Sequence, residues 1–187
     1  MDIKIYNTLS RSKEVFKPIQ DGCVGFYQCG PTMYWTQHIG NMRAVVASDF
    51  MVRTLTYFGY KVKFVRNYTD VGHLTSDGDE GEDKMEKGAK RDNITPQEVA
   101  DKYIAVYNKD VESLNIILPD VRPRATEYIQ EIIEMDQILL DKGFAYVTPL
   151  AIYFDTSKAK DYYRLSRQTK EGNLEGAGTA EIVDPDR

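Results

Sequence analysis

The stretch that most restricts the fold runs from Val24 to Arg66. VGFYQC (24–29) is short, apolar and aromatic and follows the turn-forming pair Asp21-Gly22, so it reads as a buried strand. GPTMYWTQHIGN comes next and is loop-like at its start. MRAVVASDFMVRTLTYF (42–58) then carries Met42, Val46 and Phe50 at four-residue spacing, Met51 and Leu55 likewise, and Phe58 three further on. That spacing predicts a helix with those residues on its apolar face. Gly59 supplies a C-terminal stop, and KVKFVR (61–66) reads as a second strand. Strand, glycine-containing loop, helix, strand is a βαβ unit, the element from which parallel sheets with right-handed crossovers are built. Ligands in open α/β sheets sit outside the carboxyl ends of the strands. Residues 29–41 and 67–73 both leave those ends and are expected to face one crevice.

The remainder is expected to be more varied. Residues 75–91 are charged and punctuated by glycine, which predicts a mobile loop. Its acidic run, Asp77 to Asp83, fails the order of an EF-hand because Gly81 occupies a position that needs Asp or Asn. Thr95-Pro96-Gln97-Glu98 is a strong helix start: Thr95 can cap, Pro96 suits the first turn and Glu98 completes a capping box. Val99, Tyr103 and Val106 continue its apolar face, and the Tyr103 and Tyr107 stripe reads as core. A helix from about Thr126 to Lys142 ends at Gly143, and FAYVTPLAIYFD reads as a strand pair around Thr148-Pro149. The last residues, 171–187, are Gly-rich and polar, and no finishing element is expected there.

Composition sets limits on function. An apolar fraction of 42%, with thirteen Tyr and seven Phe, is that of a globular chain. A net charge of −5 argues against a dedicated DNA- or RNA-binding module, though not against an enzyme that meets RNA through a local patch. The two cysteines, Cys23 and Cys29, match neither a C-x-x-C pair nor a disulfide framework. The N-terminus shows no secretory pattern and no run reaches membrane-span length, so the expectation is a cytoplasmic protein without membrane or DNA partners.

Chemistry concentrates in Cys29-Gly30-Pro31-Thr32-Met33-Tyr34 and His38-Ile39-Gly40-Asn41, at the junction of strand and helix. Gly30 and Gly40 permit close backbone approach to a ligand. Amides at the helix start near Gly40 and Asn41 favour phosphate. His38 can donate to a phosphoryl oxygen as charge builds on it. Taken singly, His38 reads more simply as structural and Cys29 as a small buried hydrophobe. Their joint placement at the carboxyl end of a strand shifts the reading toward function. Trp35, beside this loop, either packs on a nucleotide or plugs the helix start.

The string from Tyr27 to Gly40, Y-x-C-G-P-T-x-Y-x-x-x-H-I-G, resembles the HIGH region of class I aminoacyl-tRNA synthetases in the form used by cysteinyl-tRNA synthetases. Tyr6 to Arg11, Phe64 to Asp70, Pro123 to Ile129 and Leu165 to Gln168 resemble further segments of that family, so the resemblance spans essentially the whole chain. It implies an α/β fold: the N-terminal half of a Rossmann-like (HUP-type) nucleotide-binding core with a parallel sheet, over residues 1–117. A connective α+β insertion over 118–187 would follow, truncated at its C-terminal end.

The same resemblance implies ATP-dependent activation of L-cysteine to cysteinyl-adenylate and transfer to tRNA(Cys). Catalytic roles fall on His38 and Asn41, and ATP binding on Pro31, Tyr34, His38, Gly40 and Asn41. Cysteine binding falls on Cys29, Gly30, Thr32 and Thr69. Cys29 is implied as one ligand of a zinc ion that holds the substrate thiolate, the other ligands lying outside this chain, and Mg2+ accompanies ATP. Zinc prefers thiolate to hydroxyl, which would separate cysteine from serine. Asn41 departs from the motif, where a His is expected; Asn donates a hydrogen bond but carries no charge. His73 matches no family ligand, and Lys84-Met85-Glu86-Lys87 resembles the KMSKS loop in letters only and reads as a solvated surface. The isolated chain is expected to be inactive or nearly so. The alternatives are a cysteine ligase of thiol biosynthesis with an amino-sugar acceptor, and a non-catalytic synthetase-like module binding ATP, RNA or a partner.

Overall fold

A computed structural model of the protein describes residues 2–72 and 83–168. These fall into two compact units, residues 18–72 with 83–128, and residues 2–17 with 129–168.

The first unit contains the expected crossover. β3 (Cys23–Gln28) and β4 (Lys61–Arg66) pair in parallel, with Cys23 opposite Lys61 and Gln28 opposite Arg66, and α1 (Ile39–Tyr57) joins them. β1 (Lys4–Asn7) and β2 (Ser12–Val15) belong to the other unit. Val65 pairs with Tyr27 on one side and with Val121 on the other, and Tyr68 bridges to Arg124, so a third parallel segment flanks β4. Pro123 has no amide to donate, and that segment forms isolated bridges rather than a ladder. Residues 118–124, read from sequence as the start of the insertion, thus hydrogen-bond to the core unit, Asp120 N–H donating to Phe64 O at 2.9 Å.

Between β4 and that segment lie α2 (Lys84–Asp92) and α3 (Pro96–Ser113). The α3 start is as expected: the Thr95 hydroxyl accepts from Glu98 N–H at 3.3 Å and the Glu98 carboxylate accepts from Thr95 N–H at 2.8 Å. Val99, Tyr103, Tyr107 and Val111, four apart, form its buried face and meet Met42 and Val45 of α1, Met33, Tyr68 and Met85 in one core. The tyrosine stripe is core.

Two expectations need correction. Residues 84–92 are a helix rather than part of a loop. Asp83 caps it by accepting from Met85 N–H at 2.7 Å, Met85 is 2% exposed, and a β-carbon on Gly88 would come within 2.9 Å of Val99. Lys84–Lys87 is therefore not a wholly solvated surface; its charges mask one buried methionine. The buried face of α1 is also rotated from the one expected: Met42, Val45, Asp49, Val52 and Leu55 point inward, while Val46 and Phe50 are 44% and 73% exposed. Asp49 belongs on the inner face because it accepts from Ile117 N–H at 2.8 Å and pairs with Arg53 at 2.7 Å. Residues 75–82, with most of the acidic run, His73 and residues 171–187 lie outside the described residues.

The second unit opens with a hairpin that the sequence reading did not anticipate, β1 (Lys4–Asn7) against β2 (Ser12–Val15). Its turn is held by Asn7, whose side chain accepts from Leu9 N–H at 2.9 Å, and by Arg11 at φ 59°. Arg11 donates to Ser166 O at 2.7 Å and Arg167 donates to Leu9 O at 3.2 Å, a reciprocal pair joining the hairpin to residues 166–167. The helix expected from Thr126 divides where the units divide: a 3-10 turn, Ala125–Tyr128, belongs to the first unit, and α4 (Ile129–Asp141), which Gly143 ends at φ 70°, belongs to the second. β5 (Ala145–Val147) and β6 (Ile152–Phe154) form the expected strand pair around Thr148-Pro149. Among the described residues no helix is long and apolar enough to cross a membrane.

Candidate functional site

The loops leaving β3 and β4 meet at the carboxyl edge of the sheet, as the crossover requires. Thr32 and Thr69 bridge in parallel; Met33 N–H donates to Thr69 O at 2.9 Å and Thr69 N–H to Pro31 O at 3.2 Å. Asn67 organises the junction. Its side-chain oxygen accepts from Gly30 N–H at 2.7 Å and from the Tyr27 hydroxyl at 2.9 Å, and its Nδ2 donates to the Thr69 hydroxyl at 3.2 Å. A β-carbon on residue 30 would lie 1.6 Å from the Asn67 carbonyl oxygen, so only glycine fits.

His38 is the N-cap of α1. Its backbone is extended (φ −81°, ψ 167°) and its Nδ1 accepts from Gly40 N–H at 3.0 Å, while Asn41 and Met42 N–H donate to His38 O at 3.0 and 3.1 Å. The amides around Gly40 and Asn41, expected to face phosphate, are thus engaged by His38 itself. With Nδ1 accepting, the neutral ring carries its proton on Nε2, and that N–H has no partner among the described residues. The Asn41 amide donates to Gln37 Oε1 at 2.6 Å.

A cavity of about 310 Å³ opens beside these loops, lined by Cys29, Gly30, Pro31, Thr32 and Asn41 together with Gln28 and Tyr107 among others. Five of the nine residues singled out from sequence therefore share one cavity. Tyr34, His38, Gly40 and Thr69 lie outside its lining. Tyr34 faces α2, its carbonyl accepting from Arg91 at 3.1 Å. Trp35 does not line this cavity: the Arg91 guanidinium stacks 4.0 Å from its ring centre, and Tyr103 lies 5.9 Å away. Cys29 is exposed, and among the described residues no group of three or more His, Cys, Asp or Glu is placed to hold a metal ion.

Residues 15–184 match the family described as the catalytic domain of class I (C) tRNA synthetases. The chain belongs to that class I synthetase family. It is 43% identical over 179 residues to a cysteine–tRNA ligase of Deinococcus radiodurans, covering 96% of this chain and 36% of that protein. A cysteine–tRNA ligase of Thermus thermophilus is 44% identical over 177 residues, covering 95% of this chain and 37% of that protein. That of Bacteroides thetaiotaomicron is 42% identical over 186 residues, covering 99% and 36%. The chain thus spans a little over a third of the length of these relatives. The class I synthetase match agrees with the α/β, Rossmann-like core and parallel strand pair.

Four further residues of this class I core shape the site and carried no assigned role in the sequence reading. Asn67 is one. Arg66 is 1% exposed; its Nε donates to Gln28 Oε1 at 2.6 Å and its Nη1 to the Tyr107 hydroxyl at 3.0 Å. Burial pushes the Tyr107 phenol above its ordinary value despite the opposing pull of Arg66, so it stays protonated at neutral pH. A signal was present: Phe64 and Arg66 are two apart in a strand, so the face that buries the phenylalanine buries the arginine. Asp70 is the last. Its carboxylate accepts from Thr126 N–H at 3.0 Å and the Thr126 hydroxyl at 2.7 Å. Arg124 Nε lies 3.3 Å away, close enough for charge attraction but not aligned as a hydrogen bond.

Proposed function

We propose that the protein carrying this chain activates L-cysteine with ATP and transfers it to tRNA(Cys) in the cytoplasm, residues 1–117 giving the first half of the catalytic core and 118–187 the connective insertion. The observation that carries this reading is the cavity bounded by Cys29, Gly30, Pro31, Thr32 and Asn41 at the carboxyl edge of β3 and β4. The names of the relatives supply the substrate class.

In the activation step a cysteine carboxylate oxygen attacks the α-phosphorus of ATP. The new P–O bond forms as the bond to the β-phosphate bridge breaks, and pyrophosphate leaves. His38 Nε2–H is one donor this chain offers to a phosphoryl oxygen, held in place by its Nδ1 cap. Gly30, Thr32 and Thr69 fix the cysteine side of the crevice, and Pro31, Tyr34, Gly40 and Asn41 the ATP side. Asn67 and Gly30 keep the two loops in register.

Cys29 fits zinc as a single exposed thiolate donor, with the other ligands of a roughly four-coordinate site supplied from outside this chain. Zinc held there would supply a soft Lewis acid that favours a thiolate over a hydroxyl, and Mg2+ would accompany the phosphates of ATP.

Cysteine-dependent ATP–pyrophosphate exchange by the whole protein tests the reading, with serine as the control. Exchange with cysteine and charging of tRNA support it. Exchange with transfer only to an amino-sugar moves the assignment to thiol biosynthesis, and absence of exchange leaves a binding module.

A further inference from the structure

Arg66 is a buried cation without a carboxylate partner among the described residues, and its Nη2 has no hydrogen-bond partner there. The Phe64 ring, 4.9 Å from the guanidinium carbon, offsets only part of the cost of a desolvated cation, and proteins meet the rest with an acid or a bound anion. Its two partners, Gln28 and Tyr107, both line the 310 Å³ cavity. Because the Tyr107 oxygen accepts from Arg66, the phenol proton must be donated elsewhere, and no acceptor for it exists among the described residues. Gln28 accepts from Arg66 and donates one amide hydrogen to Ala44 O at 3.0 Å, which leaves a second hydrogen for a ligand.

We propose that Arg66 is a positioning residue that makes this cavity a receptor for the anionic group of the bound substrate, carboxylate or phosphate, with the Tyr107 hydroxyl as the donor that meets it. The inference deepens the cysteine-activation reading and rests on it for the identity of the substrate. In a low-dielectric setting a donor polarised by a neighbouring guanidinium binds an anion more strongly than a free phenol does.

The test is calorimetric binding to the whole protein and its Tyr107→Phe and Arg66→Met variants. The probes are L-cysteine, ATP, inorganic pyrophosphate and cysteamine, which lacks the carboxylate. Tyr107→Phe keeps the ring in the core and removes the hydroxyl alone, so it serves even where Arg66→Met fails to fold. The expected result is a loss of about tenfold or more for an anionic probe, with cysteamine affinity unchanged within about twofold. A loss confined to L-cysteine assigns the carboxylate, and one confined to ATP and pyrophosphate assigns a phosphate. Equal losses for cysteamine and the anions, no loss for any probe, or no anion binding by the unmodified protein overturns the proposal. Binding of pyrophosphate but neither L-cysteine nor ATP defeats the activation reading instead, and the pyrophosphate affinities of the variants then decide this one.

Discussion

Gly30 sits so close to Asn67 that a β-carbon on it would lie 1.6 Å from the Asn67 carbonyl oxygen. The contact cannot relax by side-chain rotation, because backbone meets backbone across the crevice. Gly30→Ala is expected to push the two loops apart, lowering stability by about 1–3 kcal/mol and weakening substrate binding. Thermal unfolding with a binding titration checks this; an alanine variant with unchanged melting temperature and affinity contradicts it.

His38 has two separable tasks. Nδ1 caps α1, and in the proposed reading Nε2, without a partner among the described residues, donates to phosphate. His38→Ala is expected to lose both, with about 1 kcal/mol of stability. His38→Asn restores a capping oxygen but not the distant donor. It should recover stability while exchange activity stays low. Recovery of both by asparagine would reduce His38 to a cap.

Asp70 is fully buried at its side chain and gathers the Thr126 amide, the Thr126 hydroxyl and Arg124 onto one carboxylate. Asp70→Asn removes the charge and is expected to cost about 1.5–3 kcal/mol. Because Thr69 is the neighbouring residue, KM for the amino acid should rise with it. Denaturant unfolding and substrate titration of the same variant measure both effects.

Acid should loosen the α2–α3 pair. Hydrogen bonds from Arg91, then Lys102, hold the Asp92 carboxyl well below its ordinary 3.8. Thr95 N–H and then its hydroxyl hold Glu98 below 4.5, and Arg124 holds Asp101 below 3.8. Folded values below the unfolded ones mean that these groups stabilise the fold above pH 4.5. That contribution fades as pH falls through the unfolded and then the folded values. The melting temperature is expected to drop below about pH 4, with a shallower drop in Asp92→Asn. Equal slopes would remove Asp92 from the account.

Much of this was legible in the chain because local chemistry and fold agreed. β4 has the bounds Lys61–Arg66 that its sequence implies, and Thr95 to Glu98 forms the capping box its spelling implies. Gly59, at φ 88°, stands beyond the end of α1. The α1 face was misjudged because apolar residues surround that helix, and only tertiary partners for Asp49 show which side turns inward. α2 was hidden by charge, since a single buried methionine gives no periodic pattern. The β1–β2 hairpin escaped because its strands are short and exposed, and its turn is fixed by bonds to residues 166–167. Within the site, the meeting of the loops that leave β3 and β4 was legible from the crossover. Arg66, Asn67 and Tyr107 were not, because their roles depend on a neighbouring strand and a helix forty residues away.

The central claim is that the crevice at Cys29 is where cysteine is recognised and activated. The most direct measurement is ATP–pyrophosphate exchange by the whole protein and its Cys29→Ala variant, with cysteine and with serine. The account predicts strong cysteine preference in the unmodified protein and a fall of more than about 100-fold with cysteine in the variant, since a ligand position is lost outright. Unchanged exchange and unchanged preference in Cys29→Ala would contradict it.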